Sequence, residues 1–176
     1  MKDYQNDLTR EQLMELVEIS AKNLFALDGV WFQAIERTSG MDIAMNRDED
    51  AWKRYPASEA RRLKALLGLG DNPGLDGLER VLQLSHGTLA NSAVTMYREL
   101  HEGRDSLVYR IDECRVQRAR LRHGMELHPC RRVGIHEYSE LARAVDSRIA
   151  CTCISCYPEQ TLPGCGCAWR FVVEEA

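Results

Sequence analysis

No stretch of the 176-residue sequence approaches the roughly 18 consecutive apolar residues that a membrane-spanning helix needs. The opening segment, Met1-Lys2-Asp3-Tyr4-Gln5-Asn6-Asp7, lacks the apolar core of a secretory leader. Surplus positive charge is missing as well: Lys and Arg total 23 against 27 Asp and Glu, a formal net charge of −4. A general polyanion binder needs a basic surface to displace counterions from phosphates, so the charge balance argues against that class. There is no H-E-x-x-H signature, no internal repeat and no low-complexity tract. These absences predict a cytosolic protein that partners neither membrane nor nucleic acid. Cysteine is also missing from the first 113 residues, and then occurs seven times. With 44% apolar side chains the chain can bury one core. The expectation is a single domain over residues 1–176, with a helical part at 1–103 and a cysteine-rich α+β part at 104–176.

The helical part carries 3.6-residue patterning. Thr9-Arg10-Glu11-Gln12 has the form of a capping box, and Gly40 is a natural stop. Between them Leu13, Val17, Leu24, Trp31 and Ile35 predict one inward face, with a kink or close helix contact at Gly29. A second helical pattern spans 48–67 and is expected to bend or restart at Ala57, after Pro56. The run Gly68-Leu69-Gly70-Asp71-Asn72-Pro73-Gly74 is a loop, and helices are predicted over 75–84 and 88–100. The character changes at His101-Glu102-Gly103. Alternation over 106–113 predicts a strand, 116–124 a short basic helix, 136–145 a further helix, and 148–155 and 168–174 two more strands. The fold class is α+β: a helical N-terminal half packed on a small, mainly antiparallel sheet with helices.

The seven cysteines demand an explanation, because a reducing cytosol disfavours disulfides. Buried packing thiols, an iron–sulfur cluster or zinc are the alternatives. Zinc prefers a tetrahedron of thiolate or imidazole donors, and Cys153-Ile154-Ser155-Cys156 can offer two from one turn. Cys130, on the Pro129 turn, and one of Cys165 or Cys167 are the natural remaining ligands. Cys151 and Cys153 share a strand face, but Cys153 keeps the C-x-x-C pairing. A four-thiolate Zn2+ has no open position, so such a site stabilises the C-terminal part and does not catalyse.

Leu27-Asp28-Gly29-Val30-Trp31-Phe32, Ala51-Trp52-Lys53-Arg54-Tyr55 and Cys114-Arg115-Val116-Gln117-Arg118-Ala119-Arg120 resemble a bacterial family of uncharacterised proteins. That family is grouped with the L-2-amino-thiazoline-4-carboxylic acid hydrolase-like proteins. Cys130 with Val133-Gly134, and the ending Cys167-Ala168-Trp169-Arg170-Phe171, extend the likeness over nearly the whole chain. A more distant similarity is to the vinyl-4-reductase-type ligand-sensing domains, including those of phenol-responsive transcription activators. Those domains hold zinc through cysteines and one carboxylate. Their spacing implies Cys130, Cys153 and Cys156 here, with Cys167 preferred over Cys165 as the fourth ligand. It also implies a small-molecule pocket between helices and sheet, and a homodimer.

Catalysis would have to come from elsewhere. Cys114 stands where a strand hands over to a helix, and a helix N-terminus lowers a thiol's pKa. Gln117 and Arg120 follow on the same helical face, one to orient a substrate and one to hold its carboxylate. With Cys114 as nucleophile the trio suits hydrolysis of a cyclic amidine or amide. His123 is a possible base for it. Of the other histidines (His86, His101, His128 and His136), His128 and His136 flank Cys130 and could replace a thiolate on the metal. Trp31, Trp52, Phe32 and Tyr55 are core or the wall of a ligand pocket, with Asp28 three residues before Trp31. The leading expectation is a zinc-stabilised, ligand-binding protein, and the rival is the thiol hydrolase. If zinc fastens the tail, Cys156→Ser should lower the melting temperature sharply and Cys151→Ser only slightly, as thermal melts of the two would show.

Overall fold

The computed structural model of the chain describes residues 4–174, with side chains from Asn6 onward. Residues 1–3, part of the opening segment considered above for a leader, lie outside it. After a 3-10 turn at Tyr4–Asp7 the chain forms helices α1 (Arg10–Ser39), α2 (Met41–Trp52), α3 (Tyr55–Leu66), α4 (Gly74–Leu84) and α5 (His86–Ala90). Strands β1 (Val94–His101) and β2 (Arg104–Ile111) follow, then α6 (Arg115–Arg122), α7 (Arg131–Val145), β3 (Ile149–Cys156) and β4 (Cys167–Val173). The four strands form one antiparallel sheet in the order β1-β2-β4-β3. The fold is therefore α+β. No helix among the described residues is long and apolar enough to cross a membrane.

Local chemistry explains most boundaries. Thr9 accepts from the Gln12 backbone N–H while the Gln12 side chain accepts from the Thr9 N–H, so the capping box starts α1. Gly40, at φ +83°, ends it and opens α2. Pro56 lies in the first turn of α3, where its missing N–H leaves no bond unmade. The break expected at Ala57 therefore falls earlier, at Lys53-Arg54.

The helix expected over 88–100 is mostly strand β1. Glu102 and Gly103 both have positive φ, +52° and +75°, which is the two-residue turn that matches strand twist. It clamps Val94–His101 against β2 over eight residue pairs, and this ladder overrides the helix preference of Arg98, Glu99 and Leu100. The sheet thus reaches back into the segment assigned to the helical part.

Helix α1 also differs from expectation. It runs unbroken through Gly29, where a Cβ would meet nothing within 4 Å, so neither kink nor close contact explains that glycine. Its buried residues are Ala21 and Phe32, whereas Leu13, Val17 and Trp31 are exposed and Leu24 and Ile35 half-buried. The contact stripe is rotated from the predicted one because α2 and α5, not the sheet, are the partners of α1.

The main core lies between the sheet and helices α3, α4 and α7, with Leu107, Tyr109, Trp169, Phe171, Leu78, Leu82 and Leu141 inside. A second cluster of Phe32, Ala44, Met45, Trp52 and Val133 joins α1 and α2 to α7. Helix α7 comes so close to the sheet that a Cβ on Gly134 would stand 2.6 Å from the Trp169 ring. Trp169 also stacks on Tyr138 with centroids 4.8 Å apart. Gly134→Ala should therefore cost roughly 1–3 kcal/mol through overpacking. Urea denaturation measures it, and an unchanged midpoint would mean that α7 can lift off the sheet freely.

Candidate active site

A cavity of about 670 Å³ opens between α1, the α6 segment, α7 and one end of the sheet. Asp28, Trp52, Cys114, Gln117 and Arg120, all expected at a functional site, line it, whereas Trp31 is 69% exposed and does not. Gly29 lines it too, so its lack of a side chain leaves open space. Cys130, immediately before α7, and Gly134 and Glu137 on it fall at i, i+4 and i+7, one helical face of the wall.

The structure joins these residues differently from the expected trio. The Gln117 backbone N–H bonds the Cys114 thiol, but its side chain turns away from it. Its Nε2 donates to the His128 carbonyl at 2.6 Å and to Cys130 Sγ at 3.2 Å, and its Oε1 accepts from the His128 N–H at 3.0 Å. Arg120 is buried and bidentate on Glu36 at 2.6 and 3.0 Å, with its Nε on the Glu126 carbonyl and its guanidinium over the Phe32 ring. It ties α6 to α1, with its charge compensated by Glu36 and not by a ligand. Cys114 caps α6, but burial dominates the helix terminus and pushes its thiol up to about 11. His123, the suggested base, is exposed.

A three-residue relay stands beside Gln117. Asp48 Oδ2 lies 3.0 Å from His128 Nε2, and His128 Nδ1 lies 3.1 Å from Cys130 Sγ. Asp48 and His128 are buried, and Phe32 packs edge-on to the imidazole at 4.6 Å. Cys130 is the residue immediately before α7. Burial first, and then the fields of Cys114 and Cys167, hold its thiol well above the ordinary range, so it rests as neutral SH beside the imidazole. Neither Asp48 nor the role of His128 was legible in the motifs. One signal was available: Asp48 sits on the stripe Ala44, Met45, Asp48, Trp52, where an acid interrupts an otherwise buried apolar face.

The cysteines expected to bind metal meet in part. A bulge between Cys153 and Ser155 shifts the β3–β4 register, so Cys153 opposes Trp169 and Cys156 opposes Cys167. Residues three apart thereby share the helix-facing side. The Cys156 thiol lies beside those of Cys153 and Cys167. Cys165 Sγ instead faces the Ile111 carbonyl at 3.8 Å, and Cys130 is engaged by Gln117 and His128. Among the described residues no group of three or more His, Cys, Asp or Glu is gathered so as to hold a metal ion. His136 bonds Glu49 at 3.1 Å, away from this cluster.

Acidic groups complete the cavity. Burial, then the field of Asp48, raises Asp28 to about 6, although the Trp52 side chain hydrogen-bonds to it. Burial raises Glu137 to about 7, with Glu59, Asp28 and Asp48 adding to the effect and His86 opposing it. His86 sits behind Glu137: its Nδ1 is 2.7 Å from Glu59, its Nε2 is 3.6 Å from Glu137, and Phe25, Trp52 and Tyr55 surround the ring. Burial works against its charge, but the Glu59 bond and the fields of Glu137, Glu59 and Asp28 raise its pKa.

Over residues 6–173 the chain matches the model of a family described as a family of unknown function (DUF6125). It belongs to that family. No curated protein and no solved structure matches it.

The elevated carboxylate gives a signed prediction. Folded Glu137 keeps a proton that the unfolded chain releases above its ordinary 4.5, so stability falls as pH rises from there to about 7. Glu137→Gln removes that penalty. It should raise the melting temperature at pH 8 by roughly 3 °C or more and leave it nearly unchanged at pH 4. Circular dichroism melts at the two pH values check this, and equal shifts at both would show that the carboxylate is not destabilised by its surroundings.

Proposed function

We propose that the protein is a thiol-dependent hydrolase of a C–N bond in a small molecule, with Cys130 as nucleophile, His128 as general base and Asp48 as the group that orients and stabilises the imidazolium. The Asp48–His128–Cys130 relay on the cavity wall carries the reading. A neutral thiol needs a base within hydrogen-bond reach, and a base needs a partner for the charge it acquires. As Cys130 Sγ attacks the carbonyl or amidine carbon, its proton passes to His128 Nδ1 and Asp48 bears the new cation. His128 returns the proton to the leaving nitrogen, and water assisted by the same base releases the acyl group and restores the thiol. Gln117 Nε2, 3.2 Å from the sulfur, is a donor close to where charge develops on the attacked group. The resemblance to hydrolase-like proteins supports the same reaction type, and the more distant likeness to the ligand-sensing domains supports a homodimer.

A second reading makes Cys130 a ligand, together with Cys153, Cys156 and Cys167, of a structural zinc in a ligand-binding protein. The adjacency of Cys156 to Cys153 and Cys167 favours it. An iron–sulfur cluster would draw on the same thiols. The readings exclude one another at Cys130, since a ligated thiolate is no free nucleophile. Incubation with p-nitrophenyl acetate, with mass spectrometry of the acylated site, separates them. The hydrolase predicts stoichiometric acetylation of Cys130 at neutral pH, slowed about a hundredfold or more in His128→Ala. Labelling of Cys114 first would transfer the nucleophile there. A protected Cys130 with one zinc per chain, or visible absorbance from iron and sulfide, would end the proposal.

A further inference from the structure

We propose that the cavity selects an organic cation, a protonated nitrogen on an apolar or aromatic body, held between Asp28 and Glu137 against Trp52. The proposal deepens the hydrolase reading by naming the charge class of its substrate.

The carboxylates of the cavity and its floor outnumber their possible neutralisers. Asp28, Asp48 and Glu137 line it, with Glu59 behind, and only His86 and His128 stand among them. Four acids face two imidazoles, so the interior remains negative even with both histidines protonated. Among the described residues the other cationic groups of the wall are paired or peripheral: Arg120 is bidentate on Glu36, and Arg37, Arg115, Arg122 and His123 are exposed side chains at the solvent side. Charges there are screened by water and salt, whereas the buried acids are not. Glu137 Oε1 lies 3.6 Å from His86 Nε2, too far for a hydrogen bond. A ligand ammonium or guanidinium would supply the missing donors and turn an unfavourable buried charge into an ion pair.

Two further features suit such a ligand. Trp52, Phe25 and Phe32 line the same cavity, and aromatic faces attract cations through their quadrupoles. Trp169 is wholly buried in the wall, and its indole N–H has no hydrogen-bond partner among the described residues. The wall thus contains a polar atom that the described residues leave unsatisfied. A free carboxylate on the ligand would instead meet Asp28 and Glu137 as like charges.

Benzamidinium, benzamide and benzoate, alike in size and differing in charge, test this by isothermal titration at pH 8. Benzamidinium should bind at least about tenfold more tightly than benzoate, and Asp28→Asn or Glu137→Gln should each weaken it by about tenfold. In the unaltered protein, affinity for benzamidinium should fall between pH 8 and pH 5 as Asp28 and Glu137 take up protons; the charged and titratable groups facing them are Asp48, Glu59, His86 and His128. That series needs no variant, so it holds even where a substitution fails to fold. Benzoate binding as tightly as benzamidinium, no binding of benzamidinium at all, or a pH-independent affinity would each overturn the proposal. These measurements involve no turnover: an inert Cys130 leaves the charge preference standing, and a reactive Cys130 with no such preference sinks this inference alone.

Discussion

The close approach of α7 to the sheet at Gly134 and Trp169 is the constraint on which the site depends. Only a residue without a Cβ lets the helix lie that near the indole. The Trp169–Tyr138 stack and the Tyr138–Tyr109 contact at 5.3 Å then hold the helix in rotation. With that face set, Cys130 and Glu137 point to the same side as Gly134, one turn before it and nearly one after. The loop before α7 delivers His128 to Asp48 of α2, and Gln117 of α6 holds the His128 backbone and Cys130 Sγ.

Charge is buried in two ways around the cavity. Arg120 and Glu36 form a bidentate pair in which each compensates the other, and the pair braces α6 against α1. Asp28 and Glu137 have no such partner and are displaced upward in pKa as a result. A fold gains nothing from leaving two carboxylates in that condition, and sites that do so are commonly those that bind or react. The relay, by contrast, is fully connected from Asp48 through His128 to Cys130, so the groups assigned to chemistry and those assigned to recognition occupy different parts of one wall.

Much of the scaffold was legible from neighbours along the chain. The capping box, Gly40, the breaker loop before α4, and the strands at 104–111, 149–156 and 167–173 all follow from patterns two to four residues long. β1 escaped because its residues carry mixed propensity, and only pairing with β2 decides them. The rotation of α1 escaped because a helix with apolar residues on several sides does not announce which side is covered. The site was half visible. Asp28, Trp52, Cys114, Gln117 and Cys130 all stand out in the sequence and all line the cavity; that burial outweighs the helix terminus at Cys114 is visible only in the fold. Cys153 and Cys156 were paired by spacing alone, and their shared face depends on a bulge that spacing does not encode.

The amino-acid sequence by itself determined the helix starts and stops, the α+β class and the inventory of chemical groups, because each rests on interactions between near neighbours. The tertiary structure alone decided that Asp48 reaches His128 across 80 positions, that Gln117 turns to Cys130, and that Arg120 belongs to Glu36. Those partnerships follow from which helix faces are buried together, and that choice is made by the summed packing of α1, α2, α6 and α7, not by any local pattern.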